Sequence, residues 1–169
     1  NFVLKGQEDH FKRGMAALST LTDGKVHINV DSRADNLSCF TESEIAQVNY
    51  FNGPHPSGMV GVQIHHVDPI NKGDVVWTVN PQQVTLLGRF LATGHCDLMK
   101  TVALTGSEVK DPAYVNMING ANLEGLLESN VKSDDTLRYI SGNVLTGDQV
   151  LKMGFGGFYH DQITVIPEG

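Results

Sequence analysis

The stretch DVVWTVNPQQVTLLGRFLATG, residues 74–94, sets an apolar run directly before the clearest helix start in the chain. Residues 74–79 are nearly continuously apolar and rich in valine, the pattern of a strand buried on both faces, as in parallel sheets. Asn80 is a capping residue, Pro81 suits the first helical position, and Gln83 completes a capping box. Val84, Leu87 and Leu91 then recur on one helical face until Gly94 closes the helix. A buried strand running straight into an amphipathic helix is half of an α/β unit.

Upstream, Phe11, Met15 and Leu18 recur at helical spacing between residues 8 and 22, and Asp23-Gly24 stops that pattern. KVHINV, residues 25–30, alternates Val26, Ile28 and Val30 on one face and predicts a strand. The polar stretch DSRADNLSCFTESE predicts a loop or weak helical turn, and AQVNYF, residues 46–51, a second strand. FNGPHPSGMVGVQIHHVDPI, residues 51–70, reads as a strand-to-helix turn whose helix shows one face of Val60, Ile64 and Val67. The resulting order, helix, strand, strand, helix, strand, helix, predicts an α/β layered domain lacking its first part.

The texture changes near residues 95–99. KTVALTG, AYVNMI, TLRYIS and QITVIP are short strands separated by Gly, Asn-Gly and Asp-Pro punctuation. A short helix over residues 122–128, with Leu123, Leu126 and Leu127 inward, falls between the second and third of them. Two strands, a helix and more strands is β-grasp order. The expected organisation is α/β plus α+β, with domains at 1–96 and 97–169.

The 169 residues are 40% hydrophobic and 18% charged, a globular composition. A formal net charge of -7 disfavours nucleic acid or an anionic lipid surface as partner. No apolar run approaches the roughly 18 residues of a membrane span, so membrane association is expected only through a partner. Cys39 and Cys96 form no CxxC pair and read as reduced thiols. The opening NFVLKGQEDHF contains no targeting pattern and reads as part of a longer protein.

The turn at residues 51–70 is the main candidate site, because open α/β sheets place ligands at the carboxyl ends of their strands. Gly53, Gly58 and Gly61 let backbone amides approach an anion or a ring. The turn contains neither a dinucleotide fingerprint nor a P-loop, and residues 51–70 hold no lysine or arginine. The competing reading is structural: Pro54 and Pro56 stiffen the turn, Ser57 caps the helix, and the glycines permit close helix-to-sheet packing. His65 and His66 diverge by about 100° on a helix and grip one ion poorly; His55 could join one of them, without an acidic or thiolate third ligand. His95 and Cys96 raise a nucleophile hypothesis, but adjacent side chains rarely face each other, and a linker histidine with a buried thiol is the plainer reading. MGFGGFYHD, residues 153–161, reads as a β-hairpin loop or the rim of an aromatic-ligand site, and SDDTLR as solvated surface.

The residues become more specific when taken together. FNGPHPSGMVGVQIHHVDPI, VVWTVNPQQVTLLGRFLATG, KTVALTGSEVKDPAYVNMINGANL, RYISGNVLTG and ITVIPEG, in that order, resemble the middle of the A-subunit of the sodium-translocating NADH:quinone reductase. The resemblance covers essentially the whole chain. It implies a partial Rossmann-like α/β domain followed by a β-grasp domain of the soluble-ligand-binding (SLBB) type. It further implies a peripheral protein on the cytoplasmic side of the inner membrane, in a complex that oxidises NADH, reduces ubiquinone and exports sodium. Flavins and the iron–sulfur centre would belong to other subunits, with no cofactor on this chain and ubiquinone as the substrate it meets. Gly53, Pro54, His55, Pro56, Ser57, Gly58 and Gly61 are the residues assigned to quinone or partner contact, with no catalytic or metal-binding residue. Three alternatives stay open: an independent enzyme whose glycine turn holds a nucleotide or flavin, a structural adaptor that binds nothing small, and an electron-transport protein related to the C-subunit of Rnf-type complexes that binds a nucleotide or flavin. The isolated cysteines argue against the latter's ferredoxin-like motifs.

Overall fold

The computed structural model describes residues 2–132 and 136–169, a mixed α/β protein that divides into two compact units, Asn1–Asp97 and Leu98–Gly169. The acidic start of SDDTLR, residues 133–135, lies outside the described residues.

In the first unit, helix α1 (Glu8–Thr20) precedes strand β1 (Val26–Asp31). A helical turn α2 (Ser38–Thr41) leads to strand β2 (Ala46–Phe51), which pairs with β1 in parallel, Val26 opposite Ala46 and Asp31 opposite Phe51. Helices α3 (Val60–Val67) and α4 (Pro81–Thr93) follow. The core gathers Leu4, Phe11, Met15, Ile28, Val30, Phe40 and Val84, with the Phe11 and Phe40 rings edge-on at 5.3 Å. Strand alternation sends Ile28 and Val30 toward α1 and α4 and leaves Asn29 facing α3, so helices cover both faces of the pair.

The end signals of α4 operate as their chemistry dictates. The Gln83 amide donates to Asn80 Oδ1 at 3.0 Å, the Asn80 amide donates to Gln83 Oε1 at 3.3 Å, and Gly94 closes the helix at φ 72°. Its buried face differs from the expected one: Val84, Thr85 and Gly88 are inside, whereas Leu91 is exposed. The cause is a close crossing with α1. A Cβ on Gly88 would lie 1.7 Å from the His10 carbonyl oxygen, and one on Gly14 would lie 2.1 Å from that of Val84. Backbone meets backbone there, so the glycines form the contact and the larger Leu91 turns outward.

Residues 74–79 depart furthest from expectation. They form no strand, and Val75, Val76, Trp77 and Val79 are exposed, Trp77 to 88%. Among the described residues, the sheet of this unit consists of β1 and β2, and the run pairs with neither. Helix α3 likewise buries none of its residues, contrary to the expected face of Val60, Ile64 and Val67. Its attachment to the sheet is polar, as described below.

The second unit contains β3 (Met99–Thr105), β4 (Ala113–Ile118), α5 (Glu124–Asn130), β5 (Leu137–Ser141), β6 (Asp148–Val150) and β7 (Gln162–Pro167). The sheet order is β4-β3-β7-β5-β6; β3 and β7 are parallel, and every other neighbouring pair is antiparallel. Val102 and Leu104 from β3, Ile163 and Val165 from β7, and Leu123 and Leu127 at α5 make the core. Residues 151–161 are not a hairpin loop: they connect β6 to β7, and each of these strands pairs with β5 instead. Strand β6 is only three residues long and carries too little alternation to be read from sequence.

Candidate functional site

The turn at residues 52–59 leaves the carboxyl end of β2 and enters α3. Its backbone is tied internally: the Ser57 amide donates to the Pro54 carbonyl at 3.0 Å and the Met59 amide to that of Pro56 at 2.9 Å. Ser57 does not cap the helix, since the N-cap position is Met59. The Ser57 hydroxyl instead donates back to the Gly53 carbonyl at 2.9 Å, closing the turn on itself. Gly53 and Ser57 are half-buried; Pro54, His55, Pro56, Gly58 and Gly61 are exposed. A Cβ on Gly58 or Gly61 would meet open space, so these two glycines do not serve close helix-to-sheet packing.

A chain of side-chain amides joins this turn to the sheet. Gln63 Nε2 donates to the Ser57 carbonyl at 3.1 Å, Asn29 Nδ2 donates to Gln63 Oε1 at 3.1 Å, and Asn49 Nδ2 donates to Asn29 Oδ1 at 2.9 Å. Gln47 Nε2 extends the chain to Asn49 Oδ1 at 3.2 Å, and Asn49 Nδ2 also lies 3.2 Å from His27 Nδ1. Parallel register supplies the alignment by setting Asn29 opposite Asn49 and His27 opposite Gln47. Asparagine and glutamine hold both donors and acceptors, so the chain satisfies itself without a charged group. Sequence reasoning missed these amides; the signal was the polar parity of His27 and Asn29 between Val26, Ile28 and Val30.

At the carboxyl end of β1, Asp31 and Arg33 form an exposed ion pair at 2.9 Å, and the Ser32 amide donates to the Phe51 carbonyl. Hydrogen bonds from the Arg33 side chain and amide hold the Asp31 carboxyl down to about 2. The turn thus presents a polar, internally hydrogen-bonded base beneath an exposed Pro54–His55–Pro56 tip. Among the described residues, no group of three or more His, Cys, Asp or Glu is placed to hold a metal ion. His65 and His66 touch edge-on and are exposed.

Cys96 is exposed, not the buried thiol expected of it. Cys39 lines an open cleft of about 260 Å³ with Phe11, Lys12, Met15, Glu42 and Ile45, and burial pushes its thiol pKa up, away from the reactive thiolate.

In the second unit, Ser141, His160 and Asp148 assemble the residue types of a hydrolytic triad. Ser141 is only 1% exposed, its Oγ accepts the Gly157 amide at 2.8 Å, and His160 Nδ1 stands 3.0 Å away. His160 Nε2 is 3.9 Å from Asp148 Oδ2. Closed off from solvent, Ser141 fastens the loop to β5. Lys100 performs the same task more forcefully: its Nζ donates to the carbonyls of Gly157 (3.4 Å), Phe158 (3.1 Å) and His160 (2.7 Å) and lies 3.7 Å from Asp161. Its side chain is 8% exposed, and burial lowers its pKa against the opposing pull of Asp161. Lys100 shares strand parity with Val102 and Leu104, an inward lysine that the alternation could have revealed.

Fold and site together define a two-unit α/β protein that presents an internally tied turn in the first unit and a loop pinned by Lys100 in the second. Residues 1–96 match the family described as the NqrA second alpha/beta domain, and residues 101–152 the one described as the NQRA C-terminal domain. The chain belongs to the A-subunit family of the Na(+)-translocating NADH-quinone reductase. A relative carrying that A-subunit name from Neisseria meningitidis serogroup B is 36% identical over 99% of this chain, one from Rhodopirellula baltica 37% over 99%, and one from Vibrio atlanticus 36% over 99%. The chain spans 37%, 36% and 37% of their respective lengths. Among the described residues, no helix is long and apolar enough to cross a membrane.

Proposed function

We propose that this chain works as a non-catalytic module of the A-subunit in a sodium-pumping NADH:ubiquinone oxidoreductase, joining other subunits on the cytoplasmic side of the inner membrane and contributing to quinone binding. Residues 1–96 form the later part of a Rossmann-like domain and residues 97–169 a β-grasp domain. The β4-β3-β7-β5-β6 order, with its parallel central pair and a helix between β4 and β5, supports the second assignment. Parallel β1 and β2 with helices on both faces support the first.

The observation that carries the reading is a collinear match across 99% of the chain to proteins of this name. Gly53, Pro54, His55, Pro56, Ser57, Gly58 and Gly61 would form the quinone-facing or partner-facing surface. His55 offers a ring nitrogen to a quinone carbonyl, and the two prolines offer apolar faces to the ring. Electron transfer would use the flavins and the iron–sulfur centre of other subunits, with this chain positioning the acceptor.

The test is binding of a soluble ubiquinone analogue and of NADH to the full-length protein and its His55→Ala variant. Saturable binding of the quinone alone, weakened about tenfold or more by the substitution, supports the reading. Saturable NADH binding would contradict it. A second reading, a structural adaptor, is favoured by the exposed Phe155, Phe158 and Tyr159 on the loop pinned by Lys100, a surface suited to another protein of the complex. Quinone bound by the fully assembled complex with none of it in contact with this chain would select it.

A further inference from the structure

We propose that His27 is a positioning residue for the turn at residues 52–59. Neutral, it ends a one-way chain of hydrogen bonds that ties the turn to the sheet; protonated, it reverses that chain and releases the turn. The inference is independent of what the turn meets. Four links separate His27 from the turn. The Ser57 carbonyl only accepts, so Gln63 presents Nε2 to it at 3.1 Å and turns Oε1 toward Asn29. Asn29 must then donate through Nδ2, at 3.1 Å, which leaves its Oδ1 for Asn49 Nδ2 at 2.9 Å. The same Asn49 nitrogen, a donor with two hydrogens, stands 3.2 Å from His27 Nδ1. Nδ1 must therefore accept, which fixes the imidazole as the neutral form with its proton on Nε2.

A proton on Nδ1 sets donor against donor. The mismatch is relieved when Asn49 turns its amide over and accepts through Oδ1; Asn29 and Gln63 then turn over in succession, each exchanging donor for acceptor. Gln47, whose Nε2 donates to Asn49 Oδ1, is exposed and turns with it. The reversal stops at Ser57, where Gln63 Oε1 would face a carbonyl oxygen, and that link is lost. The exchange is favourable because the link gained, imidazolium to Asn49 Oδ1, is charge-assisted and roughly twice as strong as a neutral one. The link lost lies at half-buried Ser57, where water replaces the amide. On β2 the neighbours of His27 are Gln47 and Asn49, which carry no charge. On α3 the titratable groups beyond Gln63 are His65, His66 and, at its C-cap, Asp68, all exposed. Lys25 precedes β1, and Asp31 at its other end is paired with Arg33.

The experiment is nitrogen-detected NMR of isotope-labelled histidine in the full-length protein, which reads the tautomer and protonation of His27, together with amide hydrogen exchange of Ser57 and Met59 as that ring titrates. Wild type is compared with His27→Asn, whose amide oxygen takes the place of Nδ1 as an acceptor and does not titrate. His55, His65 and His66 are common to both proteins, so the difference isolates position 27. The expected result is a neutral ring with its proton on Nε2. After correction for intrinsic pH dependence, its protonation should speed exchange at Ser57 and Met59 by about fivefold or more, the equivalent of one hydrogen bond, in wild type alone. A neutral ring with its proton on Nδ1 would overturn the proposal, as would a ring that stays neutral at every pH at which the protein is folded. Exchange that is unchanged when His27 protonates, or that rises equally in His27→Asn, would do the same. Tautomer and wild-type exchange are read without the variant, so both tests stand if it fails to fold. Quinone enters neither readout, which keeps this outcome separate from that of the quinone reading.

Discussion

Replacing Gly88 by alanine puts a single methyl into the crossing of α1 and α4. The added Cβ would stand 1.7 Å from the His10 carbonyl oxygen, 2.6 Å from the His10 carbonyl carbon and 2.9 Å from the Gly14 nitrogen. The nearest approach is thus about 1.3 Å short of the 3.0 Å that real Cβ contacts respect, and every obstructing atom is backbone. No rotamer change relieves such a clash, so the two helices must separate, loosening Phe11, Met15 and Val84 in the core. Overpacking of this kind costs about 3 kcal/mol, and the better helix propensity of alanine returns about 1 kcal/mol, leaving a net loss of about 2 kcal/mol. Urea unfolding of the full-length protein, followed by helical circular dichroism, should show a lower midpoint for Gly88→Ala. Gly125→Ala is the control, because a Cβ there meets nothing within 4 Å, and its midpoint should hold or rise. Equal midpoints for Gly88→Ala and wild type would refute the close crossing.

Lys100→Met should free the loop before β7 by removing the donor shared by Gly157, Phe158 and His160, at a cost of about 3 kcal/mol. Hydrogen exchange of residues 157–161 reads the change, and unaltered exchange would speak against the pin. The Asp31 carboxyl should titrate near 2 by carbon-detected NMR and return toward its ordinary 3.8 in Arg33→Ala. Because its folded value is depressed, its stabilising contribution is complete above the unfolded value and is lost as pH falls from about 4 through 2.

Elements with local end signals are legible in the sequence. Asn80, Pro81, Gln83 and Gly94 act through neighbours three or four positions away, so α4 can be read without its surroundings. The Val26, Ile28, Val30 alternation reveals β1 for the same reason. Residues 74–79 mislead because β propensity states what a segment favours and not whether a pairing strand is at hand. Gly14 and Gly88 escape notice because a helical glycine looks like a local cost until the opposing backbone is known. At the candidate turn, the strand-to-helix connection is legible. The ties among Ser57, Gln63, Asn29 and Asn49 are not, since residues up to 34 positions apart meet only through strand register.

The central functional claim is tested most directly by a photoreactive ubiquinone analogue bound to the assembled complex, followed by mapping of the labelled peptide. Label is expected within residues 51–70, at or beside His55, with competition by unlabelled ubiquinone. Competable label confined to other peptides, with residues 51–70 unmodified, would contradict it.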